Sequence, residues 1–177
     1  CYIIVMIIMG IDASTSTIGL SVIDHSKNKT ILVHLEYFKP NKKLDILEML
    51  QQVQKYIISK IDEFKPDEII LEDILLGLGR KTTIKTLAGL AVLNRTVGLA
   101  VLNRLNKPPI MYNVLKVRHA IKLSKVLPKK EEIPELVAKI LNIKFPYVFN
   151  KKQKQIIENQ DMADSIALIL AYIKKEL

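Results

Sequence analysis

Cysteine is nearly absent from this sequence, Cys1 being the only one in 177 residues. That excludes an intramolecular disulfide framework and a cysteine-based zinc site, and it fits a reducing, cytoplasmic compartment. A metal site, if there is one, has to be built on oxygen ligands. Also missing is an unbroken apolar run of roughly 18 residues, the length that spans a bilayer. The opening run from Cys1 to Ile11 is far shorter and carries neither a basic flank nor a small-residue cleavage pattern, so no membrane partner is expected. With 49% hydrophobic and 25% charged residues and a mean hydropathy of +0.19, the chain reads as one ordered globular domain over residues 1–177.

Acidic residues are scarce in one place. Residues 74–155 hold 17 Lys and Arg against 3 Glu, a surplus of +14, whereas residues 1–73 and 156–177 carry −3 and −2. The formal charge of +9 therefore resolves into a basic middle between two mildly acidic ends. A protein that grips a polyanion with one part of its surface has this distribution. A lysine-rich genome would raise the lysine count as well, but it would not exclude acids from the same stretch.

The opening run is continuously apolar and rich in β-branched residues, as in a strand buried on both faces, and it ends at Asp12. Strands are expected at 18–24 and 30–38, joined by a loop of hairpin composition at 25–29. Leu44, Leu47, Leu50, Val53, Ile57, Ile61 and Phe64 recur at helical steps, which predicts an amphipathic helix over 43–64. A strand at 68–72 follows Pro66 and ends on Glu72. A helix over 82–106, a strand at 110–114, short helices near 115–122 and 131–141 and a last helix over 159–175 complete an α/β order with a mixed sheet. The stretch Gly89-Leu-Ala-Val-Leu-Asn-Arg95 recurs as residues 98–104, nine residues on. Nine helical steps put the two copies on opposite faces, so this helix is apolar on both sides and needs two partners, the sheet and a second subunit being one arrangement.

The chemistry is expected at the strand ends. Asp12 and Glu72 each close a strand, and Asp161 and Asp164, three apart, share one face of the last helix beside the apolar residues Met162, Ile166, Ile169 and Ile173. Four carboxylates converging on one point repel one another unless a cation compensates them, and Mg²⁺ or Mn²⁺ suits an all-oxygen set. Two such ions about 4 Å apart are the usual arrangement for in-line attack of water on a phosphodiester. Any one of these acids alone would more often be a helix cap or a surface charge. An acid directly after an unbroken apolar run is harder to dismiss.

The same residues carry a family resemblance. Met9-Gly-Ile-Asp12-Ala-Ser-Thr-Ser-Thr-Ile-Gly19-Leu-Ser-Val-Ile-Asp24 resembles the first strand and hairpin of the RuvC family of Holliday junction resolvases, within the RNase H-like nuclease superfamily. Ile69-Ile-Leu-Glu72-Asp73 resembles its second acidic strand end, and Asp161-Met-Ala-Asp164-Ser-Ile-Ala its closing helix. The resemblance implies an RNase H-like α/β fold with a mixed five-stranded sheet flanked by helices. It also implies a homodimer that nicks opposing strands of four-way or related branched DNA, with Asp12, Glu72, Asp161 and Asp164 holding two Mg²⁺ ions per site.

By the same resemblance Arg118 and Lys130 contact phosphates near the scissile bond, and Lys116, Lys122 and Lys129 fall in similar basic stretches. Arg80 and Lys81, next to Gly77 and Gly79, read as a DNA-contacting loop directly after Glu72. Leu75 stands where family members often carry an aromatic residue and is expected to act as a wedge at the junction centre. The first Asp is followed by Ala13-Ser14, where bacterial members usually have Pro-Gly; this places the chain nearer the phage or viral branch, in which case it would act in a host cytoplasm.

Rival readings remain. Gly10-Ile-Asp12-Ala-Ser-Thr-Ser-Thr17 also resembles the first phosphate loop of actin-like phosphotransferases, which need two such domains. A ribonuclease acting on RNA-DNA hybrid or RNA, and a catalytically weak nucleic-acid-binding module, share the fold. His25, His34 and His119 are given no catalytic role.

Overall fold

The computed structural model describes residues 5–26, 29–74 and 83–176. Its centre is β1 (Met6–Ala13), where alternate side chains feed two separate cores. Ile8 points into one, beneath the C-terminal helix, and Met9 and Ile11 into the other, beneath two long helices. This double burial explains why the strand carries no polar side chain on either face before Asp12. β2 (Ile18–Ser26) and β3 (Lys29–Phe38) continue antiparallel from it, and β4 (Glu68–Glu72) and β5 (Ile110–Tyr112) lie parallel on the other side, in the order β3-β2-β1-β4-β5. The mixed five-stranded sheet is the one expected.

Helix α1 (Ile46–Phe64) starts three residues later than its periodicity predicts. The reason is Asp45, whose carboxylate accepts from Leu47 N and Glu48 N while Glu48 reaches back to Asp45 N, a capping box that fixes the first turn. Asn113 caps α3 (Val114–Ile121) by accepting from Lys116 N, so β5 stops at Tyr112 and not at 114. A 3₁₀ turn (Lys130–Glu132) leads into α4 (Ile133–Leu141), and α5 (Glu158–Glu176) closes the described chain.

Helix α2 (Ile84–Leu105) is long and apolar enough to cross a membrane by composition, yet it is a layer of this fold, packed on α1 and β1. The repeated segment splits as the nine-residue offset requires. Leu93 and Asn94 are buried while their copies Leu102 and Asn103 are exposed, and Val101 is buried while its copy Val92 is exposed. One apolar face of α2 is therefore satisfied within the chain, and the other, with Val92, Leu99 and Leu102, is open.

Two glycines let α5 lie directly on the sheet. A Cβ on Gly19 of β2 would come within 2.1 Å of the Asp161 carbonyl oxygen, and one on Gly10 of β1 within 2.1 Å of the Ser165 carbonyl oxygen. No side-chain rotation relieves either clash, because the obstacle is helix backbone. Gly19→Ala should therefore lift the first turn of α5 and cost about 2–3 kcal/mol, toward the upper end for overpacking. Chemical denaturation checks this; an unchanged midpoint would show that the helix yields freely.

Candidate active site

The parity of the strands selects the acids. Ile8, Gly10 and Asp12 share the α5 face of β1, and Glu68, Ile70 and Glu72 share the same face of β4, since Ile8 and Ile70 lie in the α5 core. Ile11 pairs with Leu71, so Asp12 and Glu72 follow side by side at the ends of adjacent strands. Helix α5 lays Asp161 and Asp164 over them. One carboxylate oxygen from each of Asp12, Asp161 and Asp164 lies within 4.8 Å of the others, and Glu72 is close enough to hydrogen-bond Asp12. The four acids line a cavity of about 210 Å³ whose other walls include Leu90, Asn94, Val114, Arg118 and Lys130.

Burial, then the charge of Glu72, holds the Asp12 carboxyl well above the usual carboxylate range. Burial also pushes Asp164 up to about 7, even though the Lys130 ammonium pulls the other way. Lys130 Nζ is 3.1 Å from Asp161 Oδ1 and 3.5 Å from Asp164 Oδ2. Burial alone would lower the lysine pKa, but Asp164, Asp161 and Asp12 outweigh it and raise it. The cluster thus draws a cation from the protein itself. A set of hard oxygen donors, strained by mutual repulsion and already hosting one positive charge, fits a divalent metal ion.

Of the residues singled out in the sequence, the structure brings Asp12, Glu72, Asp161, Asp164, Arg118 and Lys130 to one cavity. Lys130, expected on DNA, faces the acids here. Arg118 keeps a buried Nε without a hydrogen-bond partner. Lys116, Lys122 and Lys129 do not line the cavity; the Lys116 ammonium sits 3.8 Å above the centre of the Tyr112 ring. Leu75, Arg80 and Lys81 lie outside the described residues.

Sequence reading missed Asn94. Buried in α2, it donates from Nδ2 to the Glu72 carbonyl oxygen at 2.7 Å, which pins the end of β4 beneath the cavity. That bond fixes which way the amide points and leaves its Oδ1 without a partner. An Asn within an otherwise apolar repeat was the available signal. The polar turn expected at Ser14-Thr-Ser-Thr17 is present, closed by the Ser14 hydroxyl, which donates to the Thr17 carbonyl oxygen and accepts from Thr17 N.

A parallel-antiparallel sheet of this order, with acids at the ends of β1 and β4 and on a helix packed across them, defines an RNase H-like protein with a carboxylate cluster that could hold a metal ion. The chain matches the family described as crossover junction endodeoxyribonuclease RuvC over residues 8–172. It therefore belongs to the RuvC family. A relative of that description from Campylobacter concisus is 32% identical over 170 residues, covering 94% of this chain and 96% of the relative. The fold matches Thermus thermophilus RuvC solved in complex with a Holliday junction substrate, with a TM-score of 0.73 at 19% identity, covering 95% and 93% of the two chains. The fowlpox virus Holliday junction resolvase follows with a TM-score of 0.58 at 17% identity, covering 95% and 98%.

The raised carboxyl of Asp164 makes stability depend on pH. An unfolded Asp releases its proton near 3.8, whereas folded Asp164 keeps it to about 7. Between those values the folded state binds the extra proton, so the metal-free protein should lose stability as pH rises from about 4 to 7. Asp12 acts with the same sign. Thermal unfolding in a chelator should show this fall, Mn²⁺ should reverse it above pH 7, and Asp164→Asn should flatten it. A slope unchanged by that substitution would contradict the assignment.

Proposed function

We propose that this protein is a metal-dependent endodeoxyribonuclease that nicks four-way junctions, or related branched DNA, symmetrically as a homodimer in the cytoplasm. The observation that carries this reading is the convergence of Asp12, Glu72, Asp161 and Asp164 on one cavity, in a chain of the crossover junction endodeoxyribonuclease family. These four would hold Mg²⁺, with Mn²⁺ as a substitute, two ions to a site. Bound Mg²⁺ supplies Lewis acidity toward phosphoryl oxygen and neutralises charge in an in-line displacement.

The chain's own residues supply the rest. Asn94 and the turn at Ser14 keep the ends of β4 and β1 in place. Lys130 exchanges its ion pairs with Asp161 and Asp164 for a phosphate oxygen at the cavity mouth, and Arg118 offers its unpaired Nε from the wall. Lys116, Lys122, Lys129, Arg80 and Lys81 hold the flanking backbone, and Leu75 props the junction centre. The second subunit covers the open face of α2 at Val92, Leu99 and Leu102, which gives the doubled apolar segment its second partner.

Labelled four-way junction, linear duplex, splayed arm and RNA-DNA hybrid, each incubated with protein and Mg²⁺, should give paired symmetric nicks in the junction. Cleavage confined to the RNA strand of the hybrid would refute the proposal. Asp12→Asn should abolish nicking while leaving junction binding largely intact. Leu99→Glu should convert a sedimenting dimer to monomer; a wild-type protein that sediments as a monomer even with junction present would remove the dimer from the account.

A further inference from the structure

We infer that the hairpin formed by residues 148–156 is an additional DNA-backbone contact, reaching from the metal-site helix onto the duplex arm beside the cleaved strand. The inference rests on the reading above, that branched DNA is the substrate.

Three features single the hairpin out. It is built to hold its shape. Phe149 and Gln155 form an antiparallel bridge, closed by Asn150 N to Lys154 O at 2.8 Å and Ile156 N to Val148 O at 3.1 Å. Within the tip, the Asn150 side chain accepts from Lys152 N and Lys154 N, and Gln153 takes the left-handed conformation with φ of 57°. Its base is clamped to the active site. Buried Asn159, in the first turn of α5, accepts from Val148 N and donates to the carbonyls of Val148 and Ile156, each at 2.9 Å. Asn159 stands two residues before Asp161, about 3 Å along the helix axis.

The third feature is its charge. Lys151, Lys152 and Lys154 are all exposed, residues 143–157 contain no acid, and none of the three ammonium groups meets a carboxylate among the described residues. Unpaired lysines on a flexible loop are ordinary solvated charge. Three carried on a hydrogen-bonded hairpin and clamped beside a phosphodiester-cleaving site are better placed for a row of phosphates, because the backbone that carries them needs no ordering on contact. The tip lies about four residues from the clamp, or about 13 Å of extended chain. That reach falls within half of the roughly 34 Å turn of a duplex, short enough for the hairpin to meet phosphates of a duplex arm whose scissile strand enters the cavity. Contacts of this kind are independent of sequence; they strengthen and position binding without taking part in the chemistry.

The test is the triple variant Lys151→Ala, Lys152→Ala, Lys154→Ala, in the full chain, with unfolding monitored to confirm that the fold is intact. Binding to a labelled four-way junction is measured by anisotropy over a series of salt concentrations in Ca²⁺, and nicking by single-turnover assay at saturating protein in Mg²⁺. Loss of three phosphate contacts should lower the slope of log K against log salt by about two to three units and weaken binding at least tenfold at low salt. The saturated nicking rate should change less than twofold. An unchanged salt slope in the variant, with the wild type binding and nicking normally, overturns the hairpin's role and leaves it as solvated charge or a contact for an acidic protein. A wild type that neither binds nor nicks the junction overturns instead the reading on which the inference rests.

Discussion

Helix α5 meets the sheet backbone directly at two points, over Gly19 and Gly10, and the acidic end of the molecule depends on that closeness. Gly19 and Gly10 remove the Cβ atoms that would otherwise strike the Asp161 and Ser165 carbonyls. With the helix at that depth, Asp161 and Asp164 stand above Asp12 and Glu72; lifted by the width of a methyl group, they would face solvent as separate charges. The apolar residues of the helix, Ile166 and Ile169 among them, contribute burial that holds it down. Asn159 then passes the same rigidity to the 148–156 hairpin, so Asp161, Asp164 and the basic tip are carried by one element.

Closeness has an electrostatic consequence. Burial raises the Asp12 and Asp164 carboxyls, and the charges of Glu72 and Asp161 raise them further. The structure relieves part of the repulsion with Lys130, whose ammonium bridges Asp161 and Asp164. A lysine in that position is a provisional counterion. Its charge is single where the site calls for more, and its flexible stem allows it to turn outward to a phosphate. The repulsion that destabilises the metal-free fold is thus the same quantity that would favour a divalent cation at the site.

Much of this was legible in the residue order. Unbroken hydrophobicity marked β1 as central, strand ends marked Asp12 and Glu72, and the three-residue spacing marked Asp161 and Asp164 as sharing a helix face. The nine-residue offset correctly assigned the two copies of the α2 segment to opposite faces. What escaped depends on contacts between distant parts of the chain. Asn94 acquires its role from a carbonyl 22 residues away in β4. Lys130 was expected on DNA from the resemblance alone, and residue order does not show that its ammonium lies between Asp161 and Asp164. Helix boundaries at Asp45 and Asn113 shifted because a single capping side chain outweighs periodicity at a helix end. The 148–156 hairpin has too short a ladder for strand alternation, and its shape rests on the side chains of Asn150 and Asn159.

The central claim is that four acids from two strands and one helix form a metal site. Titration of chelator-treated protein with Mn²⁺, with free ion followed by electron paramagnetic resonance, tests it most directly. The account predicts saturable binding to the wild type that is lost, or weakened at least tenfold, in both Asp12→Asn and Asp164→Asn while each variant remains folded. Equal Mn²⁺ binding by wild type and both variants would contradict it.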